Sequence, residues 1–249
     1  SESPTPEPVT VKVGVVGENN EQWDVVKETL AKENITLELV KFSDYTLPNQ
    51  ALADGETDLN AFQHKAFLQN EIKTKGYEIT DIGDTLIAPL GLFSQKIKSV
   101  SEIKKGDKIA IPNDAVNGGR ALKVLEAQGL LKVDPGKGYS PTVADITDNP
   151  LELDIVEVDA SQTASLLPDV TAALINGGYA VDFGLNPKTD SIALEEVISG
   201  SDNPFINVIA ARTANKDNPI YKKVVEAYQT DEVKKVIEDT YKGAYIVAW

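Results

Sequence analysis

Val9-Thr10-Val11-Lys12-Val13-Gly14-Val15-Val16 opens the body of the chain. It is apolar at alternate positions and then continuously so, the pattern of a strand passing from half-buried to fully buried. Trp23, Val26 and Leu30 follow at helical spacing, and Ile35-Thr36-Leu37-Glu38-Leu39-Val40 alternates again. Strand, helix and strand within about 35 residues predict a parallel βαβ unit.

The same grammar continues outward. Residues 51–54 read as a short helical piece closed by Gly55, 59–62 as a short strand, 65–75 as a helix stopped at Gly76, and 86–93 as a further apolar run. A second block follows. Residues 108–112 predict a strand, and 115–128 a helix with Asp114 at its N-cap and Gly129 past its end. Strands over 155–158 and 170–175 flank a short helix over 163–167, and a helical turn covers 178–183. A strand over 205–211 and helices over 219–228 and 231–241 close the chain. This is an α/β chain of two lobes, residues 9–93 with 207–249 and residues 94–206. Ligands of such folds bind at the carboxyl ends of strands and in the cleft between lobes. The proline-rich opening, residues 1–8, reads as a flexible tether.

Composition narrows the function. The 249 residues carry 24 basic and 39 acidic side chains, a net charge of −15. So acidic a surface argues against nucleic acid, which needs concentrated basic charge, and against docking on an anionic membrane through the body of the protein. There is no cysteine, which excludes disulfides, thiolate metal sites and a cysteine nucleophile. His64 is the one histidine, so no multi-histidine metal site is expected. No G-x-S-x-G elbow and no D-x-D-x-D-G calcium loop occurs. Asp44, Asp114, Glu157, Asp159 and Asp182 are scattered without acid–base spacing. These residues advertise neither an enzyme nor a cofactor site, and on pattern alone catalysis stays open. The chain also lacks methionine, which reads as a processed product.

Three junctions carry candidate chemistry. The loop Phe42-Ser-Asp-Tyr-Thr-Leu-Pro-Asn49 follows the second strand, and Asn60-Ala-Phe-Gln-His-Lys65 follows or ends the third. Together they offer Tyr45, Phe62, His64 and Phe67, aromatic groups able to enclose an apolar ligand tail. The same pattern suits core phenylalanines and a satisfied surface histidine. At Ile111-Pro-Asn-Asp114 with Asn117-Gly-Gly-Arg120 a strand gives way to a helix. Adjacent glycines in a first helical turn suit close approach of something to the backbone. A carboxylate held by Arg120 and the helix end is the natural guest, and a surface arginine in an ordinary loop is the other reading. At Leu174-Ile-Asn176-Gly-Gly178 an amide stands where a strand ends; Asn-Gly is also a common turn.

These segments, with Asp159-Ala-Ser-Gln162 and the terminal Trp249, resemble the NlpA-type methionine-binding lipoproteins of ATP-binding cassette importers, with the motifs in order from about Val9 to Trp249. The resemblance implies a type II periplasmic-binding-protein fold, capture of L-methionine for importer transmembrane subunits, a monomer, and an extracytoplasmic location. It also implies membrane attachment only through a lipid on a cysteine upstream of Ser1. It maps an aromatic box onto Tyr45, Phe62, His64 and Phe67, and carboxylate and amino-group contacts onto Asn117, Arg120 and Asn176. Relatives often carry Tyr where Phe67 stands and Thr where Val116 stands, which bears on ligand choice. A methionine dipeptide of the Gly-Met type is the alternative ligand. An enzyme or a sensor domain on the same two-lobe fold is the more distant reading.

Overall fold

The computed structural model describes residues 7–249, so the tether expected over residues 1–8 lies outside the described residues up to Pro6. In chain order the elements begin with β1 (Val9–Val16), α1 (Gln22–Ala31), β2 (Ile35–Phe42) and α2 (Pro48–Ala53). Then come β3 (Leu59–His64), α3 (Lys65–Lys75), β4 (Ile79–Ile87), β5 (Gly91–Phe93), β6 (Lys108–Pro112) and α4 (Ala115–Ala127). β7 (Lys132–Val133), β8 (Ile146–Asp148), β9 (Asp154–Val158), β10 (Ala172–Ile175), α5 (Gly177–Asp182), α6 (Pro187–Asp190) and β11 (Ala193–Leu194) follow. β12 (Ile206–Arg212), α7 (Pro219–Tyr228), α8 (Asp231–Tyr241) and β13 (Ile246–Val247) complete the chain.

Two compact units result, one running to Ile87 and resuming over Ser201–Trp249, the other covering Ala88–Gly200. The chain therefore crosses between units at 87/88 and 200/201, where the sequence reading put the crossings at 93/94 and 206/207. The apolar run over 86–93 hides the first crossing. It is two strands: β4 ends at Ile87 in one sheet, while Gly91–Phe93 pairs with β10 in the other.

The first unit holds a six-stranded sheet in the order β13-β4-β12-β3-β1-β2. The predicted βαβ is its edge: β1 and β2 are parallel, from Val9 against Ile35 to Val16 against Phe42. β12 runs antiparallel to both β3 and β4. Val11, Val13 and Val15 are buried at alternate positions, and Trp23, Val26 and Leu30 of α1 are buried at helical spacing. Trp23 meets Tyr228 at a tilt with ring centroids 4.9 Å apart, and Tyr228 meets the terminal Trp249 at 5.6 Å. The start of β4 escapes the sequence reading because Asp81, Gly83 and Asp84 break its alternation. Gly83 is there for α7, since a Cβ on it would lie 2.6 Å from Val225 Cγ1.

The second unit is a five-stranded sheet, β11-β5-β10-β6-β9, with a β7-β8 ribbon beside it. Its central strands are buried on both faces. Ile109, Ile111, Ala172 and Leu174 pack to one side with Leu122 and Leu125 of α4. Ala110, Ala173 and Ile175 pack to the other with Phe93 and Leu167. Two-faced burial explains why these strands read as continuous apolar runs rather than alternations.

Candidate functional site

In the first unit, the loop after β2 and the β3–α3 junction form an aromatic group. The ring centroids of Tyr45, Phe62 and Phe67 lie 6.0, 5.8 and 5.9 Å apart, a near-equilateral triangle. His64 meets Phe67 edge-on at 6.2 Å and Phe205 edge-on at 5.1 Å. Phe62 and His64, two residues apart, share a face of β3. The four aromatic residues singled out in the sequence are thus brought together, and Phe205 joins them.

Each of these side chains has a local cause for its place. His64 is the N-cap of α3, and its Nδ1 accepts the backbone N–H of Phe67 at 3.0 Å. That bond requires Nδ1 to be unprotonated, so in this arrangement the ring is neutral with its proton on Nε2. The next free N–H of the helix, on Ala66, donates to the carbonyl of Pro204 at 2.8 Å, which draws the 203–205 segment to the same corner. There Asn203 Oδ1 accepts from Phe205 N at 2.8 Å. Asp44 Oδ1 accepts from the backbone and hydroxyl of Thr46 at 2.9 and 2.6 Å, fixing the turn that carries Tyr45. The bonds from Thr46 hold the Asp44 carboxyl below its usual range.

The same two segments share a buried amide network. Asn49 and Gln63 exchange hydrogen bonds of 2.8 and 2.7 Å, and Asn60 donates to Asn49 Oδ1 at 2.9 Å. With both partners of the Asn49–Gln63 pair satisfied reciprocally, the network is favourable, and it fixes the loop after β2 to β3. The sequence reading missed it because Asn49 looks like an ordinary turn residue and no local pattern marks Asn60 and Gln63 of β3 as its partners. Asn207 is also aligned with His64 in the β12–β3 pairing.

In the second unit, α4 starts as read. Asp114 Oδ2 accepts from Asn117 N at 2.9 Å, and Asp114 Oδ1 accepts from Asn117 Nδ2 at 3.2 Å. Burial pushes the Asp114 carboxyl up from its usual value, against the pull of the Asn117 bonds, and the charge of Asp159 adds to the rise. Asn176, the N-cap of α5, donates from Nδ2 to Asn117 Oδ1 at 3.4 Å. Asn176 is 7% exposed, and its Oδ1 is buried with no hydrogen bond among the described residues. A buried acceptor left unmet costs about 1–3 kcal/mol, so a cationic donor there would be well received.

Arg120 is not a surface residue. It is 3% exposed. Its Nε donates to Glu195 Oε2 at 2.8 Å, and its Nη2 to Glu195 Oε1 at 2.6 Å and to the Ala88 carbonyl at 3.0 Å. No local pattern points to Glu195, which lies 75 residues away. The paired glycines are also explained, in a way that differs from the expected close approach of a guest. A Cβ on Gly118 would lie 2.8 Å from the Pro112 carbonyl, and one on Gly119 2.8 Å from Ser140 Cα and Tyr139 O. The chain's own backbone approaches there.

Among the described residues no group of three His, Asp or Glu side chains is placed to hold a metal ion. No helix among them is long and apolar enough to cross a membrane.

The whole chain is similar to known proteins. The D-methionine-binding lipoprotein MetQ of Salmonella typhimurium is 42% identical over 98% of this chain and 90% of its own. A nutrient-binding protein from Burkholderia cenocepacia, solved bound to methionine, superimposes with a TM-score of 0.92 at 42% identity, covering 96% of this chain and all of that one. The substrate-binding protein of a methionine transporter from Streptococcus pneumoniae gives 0.91 at 40% identity, with 96% of each chain covered. Residues 11–249 match the NlpA lipoprotein family, and with relatives this similar over nearly their whole length the chain belongs to that family.

Proposed function

We propose that this chain is an extracytoplasmic substrate-binding lipoprotein that captures methionine and delivers it to an ATP-binding cassette importer. The observation that carries the reading is the triangle of Tyr45, Phe62 and Phe67, with centroids about 6 Å apart. A thioether is polarisable and gains from contact with ring edges and faces, which three clustered rings offer. In this reading His64 borders the triangle, while Arg120 takes the ligand carboxylate and the amide oxygens of Asn176 and Asn117 take the ammonium. The open acceptor on Asn176 supports the last assignment.

The names of the relatives support the ligand class and the transport role. The remaining parts extend the same reading: a monomer, held to the membrane by a lipid upstream of Ser1, meeting the importer's transmembrane subunits, with no catalysis and no cofactor. Titration calorimetry with L-methionine, D-methionine, Gly-Met and leucine tests it. Micromolar or tighter binding of a methionine isomer, about −8 kcal/mol or better, is expected. Heat with Gly-Met alone would make the chain a dipeptide carrier, and heat with none would refute the reading.

A further inference from the structure

The guanidinium of Arg120 already holds a carboxylate, and that carboxylate belongs to the protein. Glu195 takes the side edge of the fork, Nε and Nη2, at 2.8 and 2.6 Å. Two main-chain bonds fix Glu195 in turn: its own N–H donates to the Leu90 carbonyl at 2.8 Å, and Leu90 N–H donates to its Oε1 at 3.3 Å. The first continues the pairing of β11 with β5 by one residue. The side chains of Arg120 and Glu195 are 4% and 14% exposed. A bidentate pair so covered has little rotational freedom and a set plane.

We infer that Glu195 is the positioning residue for the ligand-binding arginine. It fixes the guanidinium plane and occupies its Nε–Nη2 edge, so a ligand carboxylate meets Arg120 away from that edge while Glu195 stays in place. The inference rests on the reading that Arg120 meets the ligand. Its second consequence is electrostatic. The Arg120–Glu195 pair is neutral as a whole, which suits a zwitterion better than an anion. Its third is mechanical. The pair joins Ala88 and Leu90, just past the first crossing, to Glu195, just before the second, so one guanidinium secures both connecting segments of the second unit.

Arg120 and Arg212 are the only arginines, so guanidinium Nε–H signals in nitrogen–proton spectra are few, and the Arg120 signal is identified by its loss in Arg120→Lys. In ligand-free protein the signal is expected to exchange slowly with water, and at least about tenfold faster in Glu195→Gln, where a charge-assisted bond becomes a neutral one. Saturating L-methionine should leave it protected. Loss of protection on methionine binding would mean that the ligand displaces Glu195, and the inference would fall.

Calorimetry supplies the second readout. Glu195→Gln is expected to weaken L-methionine about tenfold, and L-methioninamide, which has no carboxylate, less than about twofold. Glu195→Asp should recover part of the methionine loss and serves if the Gln variant folds poorly. Equal weakening of both ligands would reduce Glu195 to scaffold and overturn the inference. If the parent protein binds neither ligand, the methionine reading fails, and the exchange measurement alone still decides whether Glu195 locks Arg120.

Discussion

At the scale of single residues, what matters is which polar atoms are already spoken for. Arg120→Ala removes a buried cation whose partner Glu195 has a side chain only 14% exposed. Breaking such a pair strands the remaining charge, and a cost of about 3 kcal/mol in folding stability is expected, read from urea unfolding. Loss of methionine affinity by about 2–4 kcal/mol should accompany it. Unchanged affinity would remove Arg120 from the binding site. Asp114 offers the opposite case. Burial raises its carboxyl above the ordinary value of 3.8, so the folded protein keeps a proton that the unfolded chain releases. That contribution is complete below about pH 3.8 and is lost as pH rises through the folded value. Asparagine caps a helix as well as aspartate. Asp114→Asn should therefore raise the melting temperature at pH 7 by about 1–3 °C and leave it unchanged near pH 3. A lower melting point at pH 7 would show that the Asn117 bonds to the carboxylate outweigh its burial. His64 and the three rings around it could be found in sequence because they crowd two short segments, the loop after β2 and the β3–α3 junction. Glu195 and Phe205 could not, because they come to their partners beside β11 and β12 pairings that no local pattern encodes.

At the scale of elements, the capped and stopped helices were the most legible parts. α3 runs over Lys65–Lys75, as its pattern predicts, with Gly76 at φ 71°. α4 begins at the expected Asp114, and Gly129 takes φ 75° beyond its end. These boundaries have local chemical causes, so local sequence reveals them. β4 does not reveal itself: its buried end, Thr85–Ile87, follows Asp81, Gly83 and Asp84, which interrupt the alternation. The glycine pair of α4 makes a testable distinction. Alanine gains about 1 kcal/mol over glycine from helix propensity alone. At position 119 the added Cβ would sit 2.8 Å from Ser140 Cα and Tyr139 O, main-chain atoms that cannot rotate aside. Overpacking of that kind costs about 1–3 kcal/mol, so Gly119→Ala should be net destabilising, with a lower urea midpoint and an unchanged slope. A stabilised variant would mean that the 139–141 segment yields readily, and that propensity decides the position.

At the scale of the whole molecule, the two units give the ligand a thermodynamic signature. The proposed contacts draw on both: the aromatic triangle belongs to the unit containing β1, and Arg120, Asn117 and Asn176 to the unit containing β6. A ligand that binds only folded protein stabilises it by mass action, about 2.7 kcal/mol at a hundred times its dissociation constant. For a chain of this size each kcal/mol moves the melting temperature about 2–4 °C, so methionine at that excess should raise it by about 5–11 °C. The shift should grow with the logarithm of ligand concentration. Scanning calorimetry separates the alternatives if the units melt apart. A ligand using residues of both units moves both transitions, or merges them into one. A ligand held by the aromatic group alone moves only the transition of the first unit, and Arg120→Ala would then leave the methionine shift intact. Movement of both transitions in the parent protein, reduced to the first alone in Arg120→Ala, is the outcome the proposed division of contacts requires.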